Sequence, residues 1–171
     1  MEWRYDLRVA TPRDAEAVSE LLRASYPRLM RSAYDEEVLA PALELMTQAK
    51  PSLLGSGTYY LAELANGLLV GCGGWTPERP VTKSVEPGLG HVRHFAVHPD
   101  WTRRGIGRAL LEACARTARA AGVTAFECYS SLNAEKFYRA LGFVRIREMD
   151  IELKPPVVLP AVLMRRNLHE E

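Results

Sequence analysis

From position 99 to 108 the chain reads Pro-Asp-Trp-Thr-Arg-Arg-Gly-Ile-Gly-Arg. Glycines at 105 and 107 let the backbone come close to a ligand. Ile106, Leu110, Ala113, Cys114 and Thr117 then fall on one stripe, which predicts a helix over 104–121 ended by Gly122. The first-turn N–H groups of such a helix have no helical acceptor. The helix dipole places about half a positive charge at the same end. The result is an anion site suited to phosphate. Arg103, Arg104 and Arg108 add cations able to pair with phosphate oxygens. A dinucleotide fingerprint would need a third glycine where Leu110 stands, and a Walker loop would need Gly-Lys-Ser/Thr. Taken alone, the turn also reads as a glycine-tolerant helix start with solvated arginines.

Other side chains that could move protons or electrons stand on either side of this turn. If side chains alternate strictly along 91–98, His91, Arg93, Phe95 and Val97 share one face, and His94, Ala96 and His98 the other. A histidine titrates near neutral pH, so His91 could accept a proton directly or through water. His94 and Glu127 are alternatives, as is simple packing. Cys128 could act as a nucleophile, but no adjacent base is visible and buried cysteines are common. Tyr138 is a phenol able to donate a proton, and Asn133 reads as a helix N-cap.

The elements that must position these residues follow from periodicity and turn chemistry. A strand over 4–10 leads into Thr11-Pro12-Arg13-Asp14, a helix start, and the helix runs to about Pro27. Residues 28–34 have no clear assignment, and a second helix begins near Asp35. Strands over 58–65 and 68–76 are joined by Asn66-Gly67, a hairpin signal. Residues 77–90, rich in proline and glycine, form a loop or a poorly ordered excursion. Strands follow at 91–98, 123–130, 143–153 and 161–168, with a short helix over 133–141. The order βααβββαβαββ predicts an α/β (α+β) fold. Its mixed, mostly antiparallel central sheet is flanked by helices, with 91–98 and 123–130 as the one parallel pair. Residues 4–168 fit a single domain.

The whole chain has 171 residues, a net charge of +1, 47% hydrophobic and 25% charged residues. That balance is ordinary for a globular protein and offers no global case for binding nucleic acid or a membrane surface. Three widely spaced cysteines, Cys72, Cys114 and Cys128, form neither a disulfide framework nor a zinc site, and no metal is expected. Reduced thiols, the polar start Met1 to Asp6 and the lack of a long apolar run lead us to expect a cytoplasmic protein.

Two segments resemble the GCN5-related N-acetyltransferase (GNAT) family. Arg103 to Leu111 is similar to its R/Q-x-x-G-x-G/A loop and following helix, with His94 to Pro99 as its fourth strand. Asn133 to Phe143 is similar to its second hallmark segment. One position departs: Thr102 stands where the loop usually has Gln or Arg. The resemblance implies that the parallel strands splay apart and hold acetyl-CoA, the acyl donor. The pyrophosphate would sit on Arg103-Arg104-Gly105-Ile106-Gly107-Arg108, with the pantetheine arm along Phe95, Ala96 and Val97 and a contact from Asn133. Tyr138 is then implied as the general acid for the leaving thiolate. His91 falls where histone acetyltransferases carry a base glutamate, so it is implied as a base, with Glu127 or a water chain as alternatives.

The acceptor implied is an amino group of a small molecule. A protein N-terminus or lysine, and a non-catalytic acyl-CoA-binding regulatory module, are the other readings. Substrate contacts are expected from 25–35, 77–90 and 150–162, where Tyr26, Tyr34, Trp75 nearby, Glu78, Glu86, Asp150 and Glu152 would suit a cationic amine. The apolar run 157–164 serves either a homodimer or the core.

Overall fold

The computed structural model describes residues 4–169; residues 1–3, part of the polar start Met1 to Asp6, lie outside them. Its elements are β1 (Tyr5–Val9), α1 (Ala15–Met30), α2 (Glu36–Met46), α3 (Pro51–Leu54), β2 (Tyr59–Leu64), β3 (Leu69–Thr76), β4 (Leu89–Val97), α4 (Ile106–Ala120), β5 (Ala125–Ser131), α5 (Glu135–Ala140), β6 (Val144–Glu152) and β7 (Val158–Asn167). The expected order holds, with the one-turn α3 added. Four residues are too few to show a helical period.

One local signal gave way to packing. Proline lacks an N–H and opposes helix continuation, yet α1 passes through Pro27 because its last residue, Met30, is buried against Leu39 and Leu159. Residues 28–34 therefore divide between the end of α1 and a turn. That turn is pinned by Tyr34, whose hydroxyl donates to the Pro160 carbonyl (2.6 Å) and accepts from the Leu132 N–H (2.8 Å).

The sheet order is β1-β2-β3-β4-β5-β7-β6, with β4 and β5 parallel and every other pair antiparallel. On one face Ile106, Leu110, Leu111 and Cys114 of α4 pack with Val70, Trp75, Val92 and Phe126. Thr117 closes this layer, its hydroxyl oxygen accepting from Tyr60 and from the Trp75 indole at 2.9 Å each. On the other face Val18, Leu21 and Leu22 of α1 cover Tyr59, Leu61 and Cys72, while α2 reaches β7. The apolar run expected at 157–164 lies inside the sheet, with Leu159, Ala161, Val162 and Met164 in the core. The loop after β3 is organised: Glu78 bridges Val85, and the Arg79 guanidinium bonds Glu86 at 2.8 Å.

Candidate active site

β4 and β5 pair through only three positions, Leu89 with Ala125, Gly90 with Phe126 and His91 with Glu127. β4 nevertheless continues to Val97 and β5 to Ser131. Past His91 the two strands part, leaving the β4 edge at Phe95–Val97 without a neighbouring strand. A bulge accompanies the parting. The register between β3 and β4 moves from Gly74 opposite Arg93 to Cys72 opposite Ala96, which gives β4 one extra residue. His94 absorbs it at φ 48°. Hydroxyl groups hold the bulged stretch in place. Tyr59 donates to the His94 carbonyl (2.8 Å), Tyr26 to that of Phe95 (3.0 Å) and Ser25 to that of Val97 (2.9 Å). The His94 carbonyl also accepts from the Cys72 thiol at 3.6 Å.

The bulge corrects the alternation expected for this strand. Val92, Phe95 and Val97 pack with the α4 layer, whereas Ala96 packs with α1. His91 and Arg93 precede the extra residue and do not share a face with Phe95. Strict alternation fails because one residue in the left-handed region reverses every side chain after it.

A cavity of about 560 Å³ opens where the strands part. Phe95, Ala96, Val97, Arg103, Gly105, Ile106, Gly107, Arg108, Asn133 and Tyr138 all line it. Arg104 does not; its guanidinium lies over the Trp101 ring, 4.5 Å from the centroid. Gly105 stands at φ 76°, and a Cβ there would meet nothing within 4 Å, so handedness alone selects glycine. The first helical bond runs from the Ala109 N–H to the Gly105 carbonyl, which leaves the Ile106, Gly107 and Arg108 N–H groups without helical acceptors. Gly107 has a further task that its spacing does not suggest. A Cβ there would lie 2.7 Å from the Phe137 ring, so this glycine admits α5 against α4.

Tyr138 is buried in an aromatic nest of Phe95, Phe137 and Phe143. Burial, with Cys128 and Tyr26 close by, pushes its phenol well above the ordinary range, so it stays protonated. Burial pushes the neighbouring Cys128 thiol up to about 12. Asn133 sits within a single 3-10 turn (Leu132–Ala134) whose N-cap is Ser131, and α5 is capped by Ala134. The expected cap on Asn133 is thus displaced by one turn of tighter helix.

His91 is only 1% exposed and lines neither this cavity nor the next. Its Nδ1 lies 3.4 Å from the Glu127 carboxylate without hydrogen-bond geometry, and both ring nitrogens lack a hydrogen-bond partner. Burial, with Arg79 and Arg93 nearby, holds its pKa near about 4.

A second cavity, about 1250 Å³, begins one residue before the bulge, with Arg93 and His94 in its lining. Its walls come from the α2–α3 junction, the loop after β3 and the turn between β6 and β7. Of the acids and aromatics expected to meet an acceptor, Glu78 lines this cavity and Tyr26 the first. Trp75 is core, Glu86 is paired with Arg79, and Asp150 and Glu152 lie exposed on the edge strand β6. Lys50, Lys83, Lys154 and Arg93, which line the second cavity, were not singled out as binding residues. They come from four separate segments, so no local spacing announces them.

Among the described residues no helix is long and apolar enough to cross a membrane, and no group of three or more His, Cys, Asp or Glu could hold a metal ion. Residues 55–145 match the family model of an acetyltransferase (GNAT) domain. Over 85 residues, 48% of the chain, the sequence is 39% identical to an IAA acetyltransferase from Azospirillum brasilense; the match spans 47%, about half, of that relative's length. A GCN5-related N-acetyltransferase structure from Rhodopseudomonas palustris, also described as "Aminotransferase, Class-II", superposes with a TM-score of 0.75 at 25% identity, covering 98% of each chain. The PaiA N-acetyltransferase of Thermoplasma acidophilum, solved with coenzyme A, has the same fold at a TM-score of 0.69 and 17% identity, covering 96% of this chain and 99% of that one.

Proposed function

The chain belongs to the GNAT acetyltransferase family, and from that premise we propose that it moves an acetyl group from acetyl-CoA to an amino group of a small molecule by direct attack. The observation that carries this reading is the cavity between the parted strands. It joins an open strand edge, a helix start with three N–H groups lacking helical acceptors, and a protonated buried phenol. Those residues fit the cosubstrate: the helix start suits a pyrophosphate, and the β4 edge can pair with amides of an extended arm.

Acetyl-CoA supplies a thioester, whose carbonyl carbon accepts the amine and whose sulfur departs. Tyr138 supplies the proton to the leaving sulfur, which its burial keeps available at any working pH. The amine must arrive neutral. Its proton passes to His91 or Glu127 through water, since His91 lies on neither cavity. Cys128 argues for direct attack, because a thiol held near about 12 is not a thiolate at neutral pH. The second cavity, at Arg93 and His94 of β4, is where we place the acceptor.

Thiol release from acetyl-CoA, screened across amines, amino acids and peptides, tests this reading. Tyr138→Phe is expected to lower kcat by about 10²- to 10⁴-fold with CoA affinity retained. Full turnover by Tyr138→Phe would remove the proposed acid. CoA binding without thiol release for any acceptor would leave a binding module instead.

A further inference from the structure

The second cavity carries more positive charge than the fold needs. Its lining includes Lys50, Lys83, Arg93 and Lys154, and none of these makes an ion pair among the described residues. Arg79 also lines it but is committed to Glu86 and Glu127. The one carboxylate in the lining is Glu78. Four unpaired cations thus face one acid.

Arg93 is the central case. Its guanidinium is half-buried on the strand, with one N–H donated to the Thr76 hydroxyl at 3.0 Å and no carboxylate within ion-pair distance. Burial lowers its pKa, and Glu78, beyond ion-pair distance, offsets that only in part; a half-buried charge with no carboxylate in contact is costly. Repulsion within the group is felt on its members. Burial, then Arg93 and Lys83, lowers the Lys50 pKa. Burial, then Lys50 and Arg93, holds His94 at about 3. His94 is therefore neutral and adds no charge of its own. An anion in the cavity would relieve all of these interactions together.

On the acyltransferase reading above, we propose that the acceptor carries an anionic oxygen group, carboxylate or phosphate, held in this cavity by Arg93 with Lys50, Lys83 and Lys154 around it. Arg93 stands two residues before Phe95, whose backbone lines the cosubstrate cavity. Only the bulged residue His94 separates the two along β4, so the spacer between amine and anion is short. A planar guanidinium offers a paired set of donors that matches either oxygen group. This reverses the cationic acceptor expected from the acids and aromatics in the sequence.

The test compares matched acceptors with the full chain and acetyl-CoA: amino acids against their amides, and phosphoethanolamine against ethanolamine. The anionic member is expected to show a kcat/KM about 10- to 100-fold higher, and the carboxylate and phosphate pairs separate the two sources. Arg93→Gln should collapse that preference while leaving the KM for acetyl-CoA unchanged. Lys50→Ala with Lys83→Ala, both at exposed positions, should reduce it without the risk of misfolding. Equal or better turnover of the neutral members overturns the inference while leaving the acyltransferase reading intact. If no acceptor turns over, thermal shift of the same protein with inorganic phosphate and with amino acids decides the matter. A shift lost in Arg93→Gln supports an anion site, and no shift in the parent chain sinks it.

Discussion

At the level of single residues, the site depends on side chains whose ionisation is set by burial. Tyr138 and Cys128 sit side by side, and both are held in their neutral forms. His91 is held neutral too, and this has a consequence for stability. Its folded pKa of about 4 lies below the 6.5 of the free side chain. The unfolded chain therefore binds more protons between those values, and stability rises with pH across that window. The contribution is present in full above pH 6.5 and is lost as pH falls through about 4. We expect denaturant melts to lose about 2–3 kcal/mol from this group between those pH values, and His91→Gln to flatten the decline. An unaltered slope in the variant would assign the effect elsewhere. The pH profile of kcat/KM reads the catalytic question separately. If His91 is the base, replacing it removes the acid limb; if the limb follows only the acceptor's own amine, His91 has no such part.

At the level of elements, two contacts shape the cavity between β4 and β5. The first is α4 against α5, where Phe137 occupies the space a Gly107 side chain would need. Gly107→Ala forces the ring or α5 to move, and overpacking of this kind costs about 1–3 kcal/mol. A chemical melt measures that loss, and Phe137→Leu in the same chain should restore part of it. If Gly107→Ala instead leaves stability alone and weakens only CoA binding, the glycine serves the ligand after all. The second contact is α1 against the bulged strand. Tyr26→Phe leaves the Phe95 carbonyl without its partner, at about 1–3 kcal/mol for a buried group. A lowered Tm in Tyr26→Phe, with far-UV circular dichroism unchanged, is the expected sign.

At the level of the whole molecule, we propose that residues 4–168 unfold as one domain. The seven strands form a single sheet, and the helices on its two faces are tied to it by continuous apolar layers. Calorimetry should show one transition. A ligand that binds only the folded form stabilises it by about 2.7 kcal/mol at a hundred times its Kd. For a chain of this size that is a rise of about 5–10 °C in Tm. Two transitions, with only one moved by CoA, would divide the chain into separate units.

The parts of this architecture legible in sequence were those set by nearby residues. The order of elements along the chain, the Asn66-Gly67 hairpin and the helix after Gly105 rest on turn chemistry and periodicity within a few positions. The same holds for the glycine turn at 105–107, since a helix start with unpaired N–H groups is set by local residues. Element ends were less legible where packing opposed the local signal, as at Pro27, which α1 crosses to bury Met30. The tertiary structure alone decided what the turn is joined to. One extra residue in β4, visible only in its register with β3, reversed the faces of the strand and sent Arg93 and Phe95 to different cavities. Lys50, Lys83, Arg93 and Lys154 became a group because four distant segments meet there. Register and charge clustering are relations between residues far apart in the chain, whereas the glycine turn is a property of a single short stretch.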